Sequence, residues 1–352
     1  MSEKAKIVKG QKFGDWQTIK CLGGGGNAVV WLVSNSASES AAIKLLTKTE
    51  GKSEAKVYSR FRKEIEVLCQ NRDIEGLLPI IDSYLPEEVG ENTPWYVMPV
   101  AQPIDTVKWN FETSFQIVLE IGKVLIRLHE RGVSHRDVKP ANMLIYQGRY
   151  YLSDFGLVDH PGKQDLTGTQ ERIGAKWTIA PEMERNSKNA DGKLADVYSL
   201  AKTLWILLTG QKLGFEGQYN PSSINGLVNF RLTDLYIRPL EDLIRDSTDD
   251  DPLKRPSMFG FVDRLADWIQ ISKDFRASNR LQWQDIQNDF FPTSVPQRVV
   301  WEDIAEIAKV LGYLCSVNLN HMHLPDKGGM DLLSAKNLQG RVSQRKRNYI
   351  WE

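Results

Sequence analysis

His135-Arg136-Asp137-Val138-Lys139-Pro140-Ala141-Asn142-Met143-Leu144 is the stretch on which the reading of this chain turns, and Asp154-Phe155-Gly156 begins twelve residues past Asn142. Asn142 and Asp154 supply two oxygen donors suited to a hard divalent cation. Asp137 is a separate carboxylate, free to meet a hydroxyl. Octahedral Mg²⁺ on phosphate oxygens needs only one or two protein oxygens, because water and nucleotide supply the rest. The bland alternative is a helix-capping Asp among unrelated surface polar groups. Five specified positions in one ten-residue window argue against that coincidence.

Upstream, Leu22-Gly23-Gly24-Gly25-Gly26-Asn27-Ala28-Val29-Val30 precedes Ala41-Ala42-Ile43-Lys44. Glycines lacking a Cβ let backbone N–H groups approach a polyphosphate closely, and a lysine one strand later can pair with phosphate oxygens. Alone the signal is weak, since a glycine run also serves as a plain turn. It is not a Walker loop, because no Gly-Lys-Ser/Thr follows.

Hydrophobic periodicity frames these motifs. From Phe13 to Val100 short strands are expected, among them Ala28–Val33, Ala41–Leu46 and Trp95–Val100, bounded by Gly, Ser, Asn and Pro. One helix interrupts them, with Val57, Phe61, Ile65 and Leu68 forming a stripe between Glu54 and Arg72. After Pro103 the spacing predicts helices over Ser114–Arg131, Asp196–Thr209, Phe259–Ile271 and Trp301–Val317. Strands first and helices after read as an α+β chain with two lobes and a cleft between them.

Composition narrows the function classes. With 352 residues, 41% apolar and 26% charged, the chain is an ordinary globular protein able to bury a large core. Lys plus Arg (45) balances Asp plus Glu (45), which argues against a broad basic surface for nucleic acid. The cluster Arg341, Arg345, Lys346 and Arg347 reads as a solvated basic tail. Three distant cysteines favour a reducing compartment over a disulfide framework. No secretory leader is apparent, and the apolar run Val197–Leu208 is too short to span a bilayer and contains Lys202. A cytoplasmic protein without membrane contact is expected. His321-x-His323 has no partner at ligand spacing and reads as a solvated or packed pair.

The order of motifs, closed by Ala180-Pro181-Glu182, resembles the eukaryotic-type (eukaryotic-like) Ser/Thr protein kinase family. Asp196 and Arg255 match the family's lower-lobe anchors, and the resemblance covers about residues 13–272. It implies a bilobal kinase-like fold: a basic lead over 1–12, a β-rich N-lobe over 13–101, a helical C-lobe over 102–272, and a C-terminal helical extension over 273–352 that packs on the kinase or binds a partner. It also implies ATP and Mg²⁺ as cofactors and transfer of the γ-phosphoryl to hydroxyls of protein substrates that the sequence does not identify. Whether the protein self-associates is not legible in the sequence.

Roles follow from the resemblance residue by residue. Lys44 pairs with the α- and β-phosphates and is held by a glutamate, Glu64 or Glu66. Glu64 shares the inward face of Val57 and Leu68, whereas Glu66 points about 200° away, so Glu64 is chosen. Asp137 takes or orients the hydroxyl proton, Lys139 neutralises the γ-phosphoryl and favours Ser/Thr specificity, and Asn142 and Asp154 hold Mg²⁺. Gly23 and Gly25 cover the phosphates. Leu22, Val30, Ala42 and Leu144 wall the adenine, Met98 is the gatekeeper, and the hinge offers the Pro99 carbonyl and the Ala101 N–H. Glu182 and Arg255 form a structural ion pair. Arg136 implies control by loop phosphorylation, with Thr167, Thr169 and Thr178 as candidate acceptors and autophosphorylation of Thr167 or Thr169 as one route to it.

The match departs from the family at Ala28, where a third glycine is usual, at Ala175, where a Thr is usual, and at Thr178, where a Tyr is usual. Two competing readings are a small-molecule phosphotransferase and a nucleotide-binding pseudokinase scaffold. The first is disfavoured by the Ala-Pro-Glu segment and Lys139, the second by the intact Lys44, Asp137, Asn142 and Asp154.

Overall fold

The first sheet grows from a short edge pair, β1 (Lys12–Phe13), through β2 (Trp16–Gly24) and β3 (Ala28–Ser34) to β4 (Ser40–Leu46). After helix α1 (Glu54–Gln70), β5 (Asp82–Tyr84) and β6 (Trp95–Met98) complete it in the order β1-β2-β3-β4-β6-β5, antiparallel throughout. The structure, a computed structural model, describes residues 7–25, 27–47, 54–87, 92–105, 110–158, 177–186, 189–230, 235–296 and 299–316. Thr167, Thr169, Ala175, His321, His323 and the basic cluster from Arg341 to Arg347 lie outside the described residues.

Period-two alternation decides which side chains the sheet turns to each side. Ala41, Ile43 and Leu45 of β4 join Trp95 and Val97 of β6 in one buried cluster with Phe13, Trp16 and Val33. The opposite face carries Leu46 and Tyr96, packed with Val57, Tyr58, Phe61 and Ile65 of α1. Lys44 lies between these positions, directly across from Val30 on one side and Tyr96 on the other. Ala42 stands opposite Met98 in the same row pattern.

A small second sheet, β7 (Gln102–Pro103), β8 (Met143–Tyr146) and β9 (Arg149–Leu152), lies among the helices that follow. Helix α2 (Phe111–Glu130) starts where the Asn110 side chain accepts from the Thr113 N–H, an N-cap that satisfies one of the orphan donors. Its apolar stripe, including Phe115, Val118, Leu125 and Leu128, is buried. Helix α3 (Pro181–Asn186) is short. Helix α4 (Gly192–Thr209) is capped by Asp191 and closed by Gly210 in the left-handed conformation, φ +66°, which a glycine adopts without a Cβ penalty. Every residue of α4 from Ala195 to Leu208 is buried, as expected of a helix apolar on most of its circumference.

Helices α5 (Arg238–Ser247), α6 (Met258–Lys273), α7 (Phe275–Phe290) and α8 (Ile304–Ser316) end the described chain. The chain divides into two compact units. One holds Met1–Asn225 and Asp242–Ala266, and therefore both sheets and every described motif of the candidate site. The other holds Gly226–Glu241 and Asp267–Glu352. Within this second unit, Arg238 makes a bidentate pair with Asp289 at 2.6 and 2.9 Å, Tyr236 meets Asp285, and the Trp268 indole donates to the Tyr236 carbonyl at 2.9 Å. Among the described residues, no helix is long and apolar enough to cross a membrane.

Candidate active site

The β8–β9 hairpin explains how residues twelve apart in sequence come together. Met143 pairs with Leu152 at its open end, and the Ser153 N–H and hydroxyl both donate to the Asn142 carbonyl, at 2.9 and 3.0 Å. Asn142 and Asp154 are thereby held beside each other at the mouth of the hairpin. Asp154 has φ +66°, a left-handed conformation that Asp tolerates better than most residues.

Lys44 reaches this point from β4. Its Nζ lies 2.7 and 2.9 Å from the two Glu64 oxygens and 3.3 Å from Asp154 Oδ1. Glu64 is buried, whereas the Asp154 side chain is half exposed. Glu66 is exposed and pairs with Arg62 at 3.1 Å, so the helical geometry turns only Glu64 inward. Burial opposes the charge on Lys44, but the Asp154 and Glu64 carboxylates outweigh it and hold the ammonium well above its ordinary pKa. The same Lys44 charge holds the Asp154 carboxyl below its ordinary value. Both groups are charged at neutral pH.

Asp137 stands on the other side of Asn142. The Lys139 Nζ donates to Asp137 Oδ2 at 2.7 Å, and Asn142 Nδ2 donates to the same oxygen at 3.0 Å and to the Asp137 carbonyl at 2.8 Å. With its amide nitrogen committed to Asp137, Asn142 keeps its side-chain oxygen as an acceptor or ligand. Burial pushes the Asp137 carboxyl up, while Lys139 pulls it back. A carboxylate so poised is suited to exchange a proton with a hydroxyl.

The segment carrying Asp137 is pinned from below. Buried Asp196 on α4 accepts the His135 N–H at 2.8 Å and the Arg136 N–H at 2.7 Å, and it meets His129 Nε2 at 2.9 Å. Arg136 has φ +66°, which is uncommon for a long side chain and is held by these bonds. His135 Nδ1 accepts the Asp137 N–H at 3.2 Å while Nε2 faces the Ser153 carbonyl at 3.1 Å, roles that fit a ring protonated on Nε2. Phe155, fully buried, sets its ring edge against His135 at 4.7 Å. Its N–H donates to Glu64 Oε1 at 3.3 Å.

Further down, Arg255 grips Glu182 through both guanidinium ends, at 2.6 and 2.9 Å, and lies over the Tyr198 ring. Of the remaining candidates, Leu22, Val30, Ala42, Met98 and Leu144 lie on β2, β3, β4, β6 and β8, and Pro99 and Ala101 on the segment from β6 to β7. A Cβ built on Gly23 or Gly25 meets nothing within 4 Å, so packing within the chain does not demand glycine there. Sequence reasoning overlooked Tyr96, whose hydroxyl joins Glu64 at 3.0 Å. Lys202, noted in the sequence only as a charge within an apolar run, is buried in α4. Their signal in sequence is faint: a tyrosine within a strand and a lysine within an otherwise apolar helix.

Asn142 and Asp154 fit a divalent cation as a two-oxygen pair. Among the described residues no three His, Cys, Asp or Glu side chains gather to hold a metal by themselves. A cation there needs further oxygens, such as those of phosphate and water.

Comparison with known proteins identifies the family. Residues 16–265 match the protein kinase domain family. The chain is 26% identical over 211 residues to the serine/threonine-protein kinase AfsK of Streptomyces griseus, covering 57% of this chain and 25% of AfsK. It is 29% identical over 223 residues to PknJ of Mycobacterium tuberculosis, covering 58% and 36%. It is 27% identical over 214 residues to PrkC of Bacillus subtilis, covering 58% and 32%. The matched regions thus amount to about a quarter to a third of these relatives' lengths. The crystal structure of the Mycobacterium tuberculosis PknI kinase domain, carrying one cysteine-to-alanine mutation, is similar in fold, with a TM-score of 0.54 and 23% identity over 75% of this chain and 99% of that one. A family match over residues 16–265, most of the chain, means that this chain belongs to the protein kinase domain family.

Proposed function

We propose that this protein is a kinase that transfers the γ-phosphoryl of ATP, with Mg²⁺, to Ser or Thr hydroxyls of protein substrates. The observation that carries the reading is the junction at Lys44, whose ammonium meets Glu64 from α1 and Asp154 from the lower hairpin, within 3.3 Å of both. Such a junction presents one fixed positive charge and two cation-binding oxygens, from Asp154 and Asn142, on the same side of the molecule. The open space over Gly23 and Gly25 leaves room for a phosphate chain to lie close against this turn, in which the Gly25 N–H donates to the Ala28 carbonyl at 2.9 Å. Mg²⁺ bound there supplies charge neutralisation on the phosphates. Asp137 accepts the proton of the incoming hydroxyl, and Lys139, 2.7 Å away, balances the charge that gathers beside it. Thr167 and Thr169 are the acceptors we assign to self-modification.

Radiolabelled Mg-ATP with a mixed protein substrate tests this reading. We expect label on phosphoserine and phosphothreonine after acid hydrolysis, and on Thr167 or Thr169 by mass spectrometry. Label on an added amino alcohol or amino sugar, with none on protein, overturns the choice of substrate. No labelling of any acceptor overturns the activity.

A further inference from the structure

Glu64 receives more donors than an ion pair with Lys44 requires, and one comes from a side chain given no part in the reaction above. Tyr96 on β6 is buried, and its hydroxyl donates to Glu64 Oε1 at 3.0 Å. The same oxygen accepts Lys44 Nζ at 2.7 Å and the Phe155 N–H at 3.3 Å. One turn earlier on α1, the Phe61 ring lies 5.5 Å from the Tyr96 ring. Tyr96 therefore touches α1 twice, once through its ring and once through its hydroxyl. We propose that Tyr96 is a positioning residue that holds α1, and Glu64 with it, in the inward place where Lys44 is paired. The proposal rests on the phosphoryl-transfer reading of the site and deepens it.

The physical reason lies in the cost of burying a phenol. A hydroxyl taken from water into an apolar cluster is destabilising unless it finds an acceptor. Tyr96 sits in the cluster formed by Leu46, Val57, Tyr58, Phe61 and Ile65, and its acceptor is Glu64. If α1 moves outward, Lys44 still has the Asp154 carboxylate at 3.3 Å to turn to. The phenol loses its acceptor while β6 keeps it in the sheet. The inward state is favoured by that difference. Burial, reinforced by the Glu64 charge, keeps the phenol well above its ordinary pKa, so it remains a donor throughout the neutral range.

Tyr96→Phe keeps the ring and its contact with Phe61 but removes the donor. The test measures single-turnover phosphoryl transfer and amide hydrogen exchange along α1 in the full chain, for wild type, Tyr96→Phe, Glu64→Ala and the double variant. We expect Tyr96→Phe to slow transfer about tenfold and to speed exchange between Val57 and Leu68. In the Glu64→Ala background the same change should alter the rate by less than about twofold, because the two residues act through one contact. An equal loss in both backgrounds overturns the proposal and reduces Tyr96 to sheet packing. So does a Tyr96→Phe variant with unchanged rate and exchange. If the wild type transfers no phosphoryl group, the kinase reading fails separately, and exchange in Tyr96→Phe against wild type still decides whether the phenol holds α1.

Discussion

Lys202 brings an ammonium into a helix that is buried from Ala195 to Leu208. Its Nζ donates to the Phe215 carbonyl and lies 3.9 Å from the Phe215 ring centroid and 5.0 Å from that of Tyr198. Burial pulls its pKa from 10.5 down to about 7, with Asp250 and Glu216 opposing. Between those two values the unfolded chain binds a proton that the folded chain does not, so stability rises with pH across the window. From pH 7 to pH 9 we expect Lys202 to add about 2 kcal/mol. Urea unfolding of wild type and Lys202→Met at both pH values checks this: the wild-type midpoint should rise more than that of the variant. Parallel pH dependence in the two proteins would contradict it. The surroundings of Lys202 and Tyr96 are not legible in the sequence, for one physical reason. Each is set by a partner distant in the chain, and no local period or motif reports on such a partner. Asp137, Asn142 and Asp154 stand out because they fall in motifs of fixed residue types at close spacing.

At the scale of elements, helix packing decides how much of the chain is legible. The helices expected over Glu54–Arg72, Ser114–Arg131 and Asp196–Thr209 are observed at Glu54–Gln70, Phe111–Glu130 and Gly192–Thr209. Each buries a stripe or its whole circumference, which is what periodicity detects. Helix α7 escaped because its sequence, Phe275–Phe290, is largely polar and buries only Ser278, Gln282 and Ile286. Strands β8 and β9, four residues each, were not expected from the sequence. Gly122, on α2, has a packing role that no motif marks. A Cβ there comes within 2.4 Å of Val262 Cγ2 on α6. Alanine is the better helix former by about 1 kcal/mol, yet overpacking a rigid contact costs about 1–3 kcal/mol. Gly122→Ala is therefore expected to be net destabilising, and Gly122→Ala with Val262→Ala should recover part of the loss in a denaturant titration.

Across the whole molecule, the two units divide the chemistry from the tail. The lysine, the carboxylates and the Asp196 anchor all belong to the unit formed by Met1–Asn225 and Asp242–Ala266. The second unit draws Gly226–Glu241 together with the residues after Ala266, and α7 supplies Asp289 to Arg238 and Asp285 to Tyr236. A chain ending at residue 272 loses both partners and the burial of Ile286. We expect it to melt several degrees below the full chain by differential scanning calorimetry, and an unchanged melting temperature would show that these contacts contribute little. The motifs of the first unit are readable in advance, since each needs its own strand, helix or hairpin. No comparable chemistry marks the second.

On our proposal, Lys44, Asp154, Asn142 and Asp137 form one phosphoryl-transfer site in which Asp137 handles the hydroxyl proton without gripping the nucleotide. Asp137→Asn, nearly isosteric, tests it most directly when nucleotide affinity and single-turnover transfer are measured on the same preparation. The expected result is Mg-ATP affinity within about threefold of wild type and transfer slower by at least about a hundredfold. Transfer at the wild-type rate would contradict it.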